Sequence, residues 1–155
     1  MRAIVIAVLL AAAPMAATAQ SLADDPEVYV ASVYDRLRRQ QPYQTPDALY
    51  TPRLQALWAD MVKDAGDEVG RVNFDFWVNA QDADLSGFSF ASEPVIQNDD
   101  RRIVIARFRN FDRDETLAFY WEKIDGRWRL DDVESRGETA WTLSVILKYG
   151  WVGED

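Results

Sequence analysis

The chain has 155 residues, with 26 acidic against 17 basic side chains for a net charge of −9, and it contains neither histidine nor cysteine. An acidic balance speaks against a duplex-binding protein, which is usually basic. The two missing residue types exclude disulfides, zinc–thiolate centres, imidazole ligands, thiol nucleophiles and Ser-His triads.

Arg2 is followed by an apolar run over residues 3–13, then Pro14, then Ala17-Thr18-Ala19 ahead of Gln20. This reads as a signal peptide over residues 1–19, cleaved before Gln20. Its apolar core is shorter than the roughly 20 residues a membrane span needs, so no transmembrane anchor is expected after cleavage. Residues 20–155 are expected to fold as one domain with a net charge of −10, since Arg2 is the one charged residue removed.

Asp24 and Asp25 ahead of Pro26 and Glu27 give a cap, a first-turn proline and first-turn acids. Tyr29, Val30, Val33, Tyr34 and Leu37 then recur at helical spacing, predicting a helix to about Gln40. Arg36, Arg38 and Arg39 suit the negative end of that helix. Thr51-Pro52 opens a second helix through Leu54, Leu57, Trp58, Met61 and Val62, stopped at Gly66. Residues 66–87 have loop composition around the aromatic knot Phe74-Asp75-Phe76-Trp77.

From Phe88 onward the period becomes two. Residues 88–96, 101–111, 115–124 and 127–133 read as four strands, with turn signals at Asn98-Asp99-Asp100, Asp112-Arg113-Asp114 and Asp125-Gly126. Leu117, Phe119 and Trp121 share one face, as do Trp128 and Leu130, so one side of the sheet is aromatic and needs helices to cover it. A last helix is expected from Glu138 or Thr139 through Trp141, Val145, Ile146 and Tyr149 to Gly150. The fold class is therefore α+β: N-terminal helices packed on a curved four-stranded antiparallel meander, with a short C-terminal helix.

The segment Asp75-Phe76-Trp77-Val78-Asn79-Ala80-Gln81-Asp82, the strands after it, and Trp128-Arg129-Leu130-Asp131-Asp132-Val133 before a short helix resemble the bacterial exported family called domain of unknown function 3828. The order of helices followed by a meander is similar to the cone-shaped folds of the nuclear-transport-factor-2-like (cystatin-like) superfamily. The resemblance implies that fold and an exported location. It implies no activity, because that family has none assigned.

Three constellations carry potential chemistry. Trp77, Gln81 and Asp82, beside Asp75 and Asn79, form the densest polar and aromatic cluster outside regular structure. They read either as the lip of a ligand pocket or as a local backbone latch. Asp82, Asp84, Ser86, Gly87 and Glu93 have the spacing of a calcium loop, but Pro94 and the strand-like Phe88-Ser89-Phe90 deny it a second helix, so no metal site is expected. Tyr120 with Asp131 or Asp132 is the phenol and carboxylate pair that proton abstraction next to a carbonyl uses. Alternation turns the two aspartates to opposite faces, and ion pairs with Arg127, Arg129 or Arg136 are the alternative use of both. Arg107 and Arg109 read as a solvated face crossed with Glu122 or Glu115.

With no complete catalytic motif, the expectation is a non-catalytic periplasmic or secreted binding module without a cofactor. Its ligand-binding residues would be Trp77, Gln81, Asp82, Tyr120 and Asp132. Its partner would be a small molecule, an envelope component or a cationic protein, and not nucleic acid. A cofactor-free isomerase or dehydratase working by carboxylate and tyrosine acid-base catalysis, or an acidic inhibitor or immunity-type protein, are the alternatives.

Overall fold

The computed structural model describes residues 24–43 and 45–151. The expected signal peptide lies outside the described residues. Helix α1 spans Pro26–Arg38, with the Asp25 carboxylate accepting from the N–H groups of Glu27 at 2.9 Å and Val28 at 3.4 Å. Tyr29, Val30, Val33 and Tyr34 form its buried stripe, as the helical spacing requires. A 3-10 turn, Asp47–Leu49, then leads into a bridge between Tyr50 and Leu130. Helix α2, Pro52–Ala65, begins there, capped by Thr51 Oγ1 on the Leu54 N–H at 3.2 Å. Gly66 ends it at φ +58, a left-handed geometry that glycine adopts at little cost.

Five strands follow, β1 Leu85–Val95, β2 Asn98–Asn110, β3 Arg113–Ile124, β4 Arg127–Ser135 and β5 Trp141–Thr142, in an antiparallel sheet of order β1-β2-β3-β4-β5. The described residues form an α+β fold with three α-helices, and the sheet has one strand more than the sequence pattern predicts. The extra strand comes from residues expected in the last helix. Trp141 pairs with Ser135, and helix α3 is confined to Leu143–Tyr149. The extended backbone carries the buried Trp141 indole to Asn79, whose Oδ1 accepts its N–H at 2.7 Å, and a paired buried donor favours this arrangement.

The turns also shift. The β1–β2 turn is Ile96-Gln97, with Gln97 at φ +63, and β2 already begins at Asn98. The β2–β3 turn is Phe111-Asp112, with Phe111 at φ +55. Asp125 at φ +51 and Gly126 at φ +76 make the Asp-Gly turn that the sequence announces.

Residues opposite one another across strands share a face, so the register sorts the sheet. Val104, Phe119 and Val133 stand in one row and Ala106 and Leu117 in the next. Tyr34 of α1 lies 5.1 to 6.4 Å from the rings of Phe88, Phe90, Phe108 and Phe119, which makes this the helix-covered face. The second face carries the rows Ile103, Tyr120, Asp132 and Ile105, Ala118, Glu134. Among the described residues no helix is long and apolar enough to cross a membrane.

Candidate ligand groove

The aromatic knot and the Tyr120–Asp132 row lie on different sides of the sheet. Trp77 is buried, stacks on Phe119 at a centroid distance of 4.7 Å, and donates its indole N–H to Thr45 Oγ1 at 3.2 Å. Tyr120 follows Phe119 in the strand and therefore points the other way. The knot is pinned from several directions. Asp75 Oδ1 accepts from the Trp77 N–H at 2.9 Å, the Tyr43 hydroxyl donates to Asp75, and the Tyr34 hydroxyl donates to the Trp77 carbonyl at 2.7 Å. Burial, with the Asp75 charge beside it, pushes the Tyr34 phenol well above its ordinary pKa.

Asn79 and Asn110 complete this latch. Asn79, at φ +53, donates to Glu115 Oε2 at 2.9 Å while holding the Trp141 indole. Glu115 is itself buried and pairs with Arg113 at 3.3 Å. Asn110, fully buried, donates to the carbonyls of Val78 at 3.3 Å and Asp82 at 3.2 Å and accepts from the Asp84 N–H at 2.9 Å. Gln81 is exposed and donates to the Asn73 carbonyl at 3.3 Å. The exposed Asp82 contributes its main-chain carbonyl to the latch.

The calcium-loop spacing dissolves into the sheet. Ser86 to Glu93 belong to β1, and Gly87, at φ +66, sits where β1 carries one residue more than β2. Its glycine serves a β-bulge. Among the described residues no group of three or more acidic side chains is arranged to hold a metal.

A groove of about 400 Å³ opens over the second face, lined among others by Arg101, Ile103, Tyr120, Glu122, Asp131, Asp132, Glu134 and Thr142. Two of the five residues expected at a site, Tyr120 and Asp132, come together here, directly opposite in the register. Trp77, Gln81 and Asp82 do not. Asp82 is tied to Asn110, seven residues along β2 from Ile103, which is roughly 23 Å of strand.

A bulge shapes the groove. Tyr120 pairs with Asp132 while Trp121 pairs with Leu130, so Asp131 is an extra residue in β4. The expectation that alternation parts the two aspartates fails for this reason. Both reach Arg53 of α2, which donates from Nε to Asp131 Oδ1 at 3.1 Å and from Nη2 to Asp132 Oδ2 at 3.3 Å. Arg53, which the sequence reading did not name, is an ion-pair partner of both. Asp132 also accepts the N–H and hydroxyl of Ser144 at 3.0 and 2.5 Å, and its own next residue's N–H at 2.9 Å, so it caps the start of α3.

Tyr120 is engaged differently. Its hydroxyl donates to Glu134 Oε2 and accepts from Arg136 Nη2 at 2.9 Å. Burial and then the bond to Glu134 raise the phenol pKa. That same bond, with Arg136 beside it, lowers the Glu134 pKa. Arg101 faces Glu122 at 3.7 Å. Arg109 pairs with Asp114 at 3.6 Å, so the expected crossing of the Arg107–Arg109 face to Glu122 or Glu115 gives way to these local pairs.

Sequence reasoning missed Arg53, Glu134 and Ser144, and it gave Arg136 to Asp131 or Asp132, where the structure gives it to Glu134 and Tyr120. One signal was present for Arg53: it stands in the first turn of α2, which carries no acid and where the helix dipole disfavours a cation. A base placed there needs carboxylates from elsewhere in the fold. No protein-family model, no curated protein and no solved structure matches the chain.

Proposed function

We propose that this protein is an exported, non-catalytic binding module whose ligand seat is the groove over Ile103 and Tyr120, with Asp132 and Glu134 in its wall. The observation that carries this reading is the engagement of the groove's acids beside open volume. Asp132 accepts from Arg53, Ser144 and Val133, and Glu134 accepts from Tyr120 and Arg136. A proton-abstracting carboxylate needs a lone pair aimed at substrate, whereas Asp132, the acid opposite Tyr120, commits both oxygens to fixing the wall of a cavity of about 400 Å³. The same proposal puts the chain among nuclear-transport-factor-2-like cones. Helices ahead of a meander support this, and so does the aromatic face they cover. The leader pattern around Ala17 and Ala19 supports export.

The test is native mass spectrometry of protein recovered from the periplasm or medium of its producing cells, followed by methyl NMR of Ile103. The expected result is a chain beginning at Gln20, and a retained or added small ligand that shifts the Ile103 methyl signals and not the Trp77 indole. A cytoplasmic chain that keeps residues 1–19, or a ligand that perturbs Trp77 and leaves Ile103 unmoved, would overturn the corresponding half of the proposal.

A further inference from the structure

We infer that the groove selects an alkylammonium: a primary amine protonated at neutral pH and carried on an aliphatic stem. This rests on the reading of the groove as a ligand seat and names the chemistry it admits. Ile103 and the ring of Tyr120 are neighbours in the register and supply an apolar and aromatic floor. Stems of four or five methylenes pack on such a floor while the charged head stays at its rim.

The rim is where the head finds its partners. Asp131 spends Oδ1 on Thr51 and Arg53, and Glu134 spends Oε2 on Tyr120 and Arg136. Among the described residues Asp131 Oδ2 and Glu134 Oε1 accept no hydrogen bond, and the Thr142 hydroxyl makes none. Glu134 and Thr142 are direct neighbours in the register, so an ammonium group, with three donors and no acceptor, finds a carboxylate oxygen and a hydroxyl side by side, with Asp131 in the same lining. Arg53 serves both Asp131 and Asp132, which leaves that wall one carboxylate in excess, and Arg136 is matched by Glu134. Arg102 lies over the Trp128 ring at 5.0 Å and 3.9 Å from Asp25, while Arg101 is matched by Glu122. The net charge of −9 adds long-range attraction for a cation.

The test titrates the folded protein with three probes of similar stem, 1-pentylamine, 1-pentanol and hexanoate, following the Ile103 methyl by NMR. Pentylamine is expected to shift it saturably and to bind more tightly than the alcohol, with hexanoate weakest. Glu134→Gln and Asp131→Asn should each weaken the amine about threefold to fivefold, the size of a partly exposed ion pair. Glu68→Gln, which removes the same charge from an exposed loop outside the groove, should leave it unchanged.

Equal or tighter binding of the alcohol or the acid at Ile103 overturns the ligand class and leaves the seat standing. No shift of Ile103 with any probe overturns both. An equal loss in Glu68→Gln assigns the attraction to net charge and overturns the groove's selectivity. A capped tripeptide with a central lysine, run beside 1,5-diaminopentane, separates a peptide-borne amine from a free one by which of them binds more tightly. Binding of neither at Ile103 overturns the inference.

Discussion

The carboxylate of Asp132 takes both the backbone N–H and the hydroxyl of Ser144, at 3.0 and 2.5 Å, and so a strand residue starts helix α3 from across the fold. Helix N-termini expose unpaired N–H groups and favour negative charge. Thr142, the residue in the capping position of α3 itself, makes no such bond. Asp132 performs the function that a local side chain performs in α1 and α2.

Asp132→Ala should therefore destabilise the protein by about 1–3 kcal/mol, the cost of a lost cap together with donors left unpaired. Urea unfolding followed by tryptophan fluorescence measures this. Ser144→Ala should cost less, because the N–H bond survives. If Asp132→Ala unfolds at the wild-type midpoint while a proton-transfer activity is lost, the residue is a base and not a cap.

The latch beneath the knot makes a contrasting prediction about neighbouring positions. Asn110→Ala removes a fully buried amide that serves Val78, Asp82 and Asp84, so it should cost at least about 1–3 kcal/mol. Asp82→Ala and Gln81→Ala change exposed side chains and should stay within about 0.5 kcal/mol of wild type. Chemical denaturation of the three variants decides between them. A loss in Asp82→Ala as large as that in Asn110→Ala would show that the Asp82 side chain, and not its carbonyl, holds the loop.

Alkaline pH should unfold this protein through its buried phenols. Burial raises the pKa of Tyr34 well above its ordinary value and that of Tyr29 to about 12. A group whose folded pKa is raised contributes its full stability below the unfolded value, near 10 for tyrosine, and loses it as pH rises towards the folded value. Stability should hold up to about pH 10 and fall above it. Phenolate absorbance near 295 nm is the readout, and for the buried tyrosines it should rise together with loss of near-UV circular dichroism. Independent ionisation of all six tyrosines near pH 10, with the fold intact, would contradict the burial of Tyr34.

Trp128→Ala should be among the costlier substitutions, at about 3–5 kcal/mol. Its ring is 6 % exposed and lies under the Arg102 guanidinium at 5.0 Å and the Lys123 ammonium at 5.6 Å. Trp128→Phe keeps much of the apolar volume and should recover more than half of that loss. Thermal unfolding of the two variants reads it directly. An alanine variant with an unchanged midpoint would mean that the start of β4 contributes nothing to the core.

Helices α1 and α2, their caps, the change of period and the aromatic face over Leu117, Phe119 and Trp121 are legible in the sequence. Each follows from residues within one turn or one pleat of one another: Asp25 with Pro26, Thr51 with Pro52, Asp125 with Gly126, and the alternation along β3. What the tertiary structure decided are the features that depend on residues far apart in the chain. Trp141 is a strand residue whose indole N–H is accepted by Asn79, 62 positions earlier. Asp131 and Asp132 share Arg53 because a single inserted residue in β4 breaks the alternation that local reasoning relies on, and nothing within β4 marks where its partner strand skips. Trp77 and Tyr120 part company for the converse reason. Local pattern shows that each is aromatic and flanked by acids, but the face each one takes is set by pairing, and pairing is a property of the whole sheet.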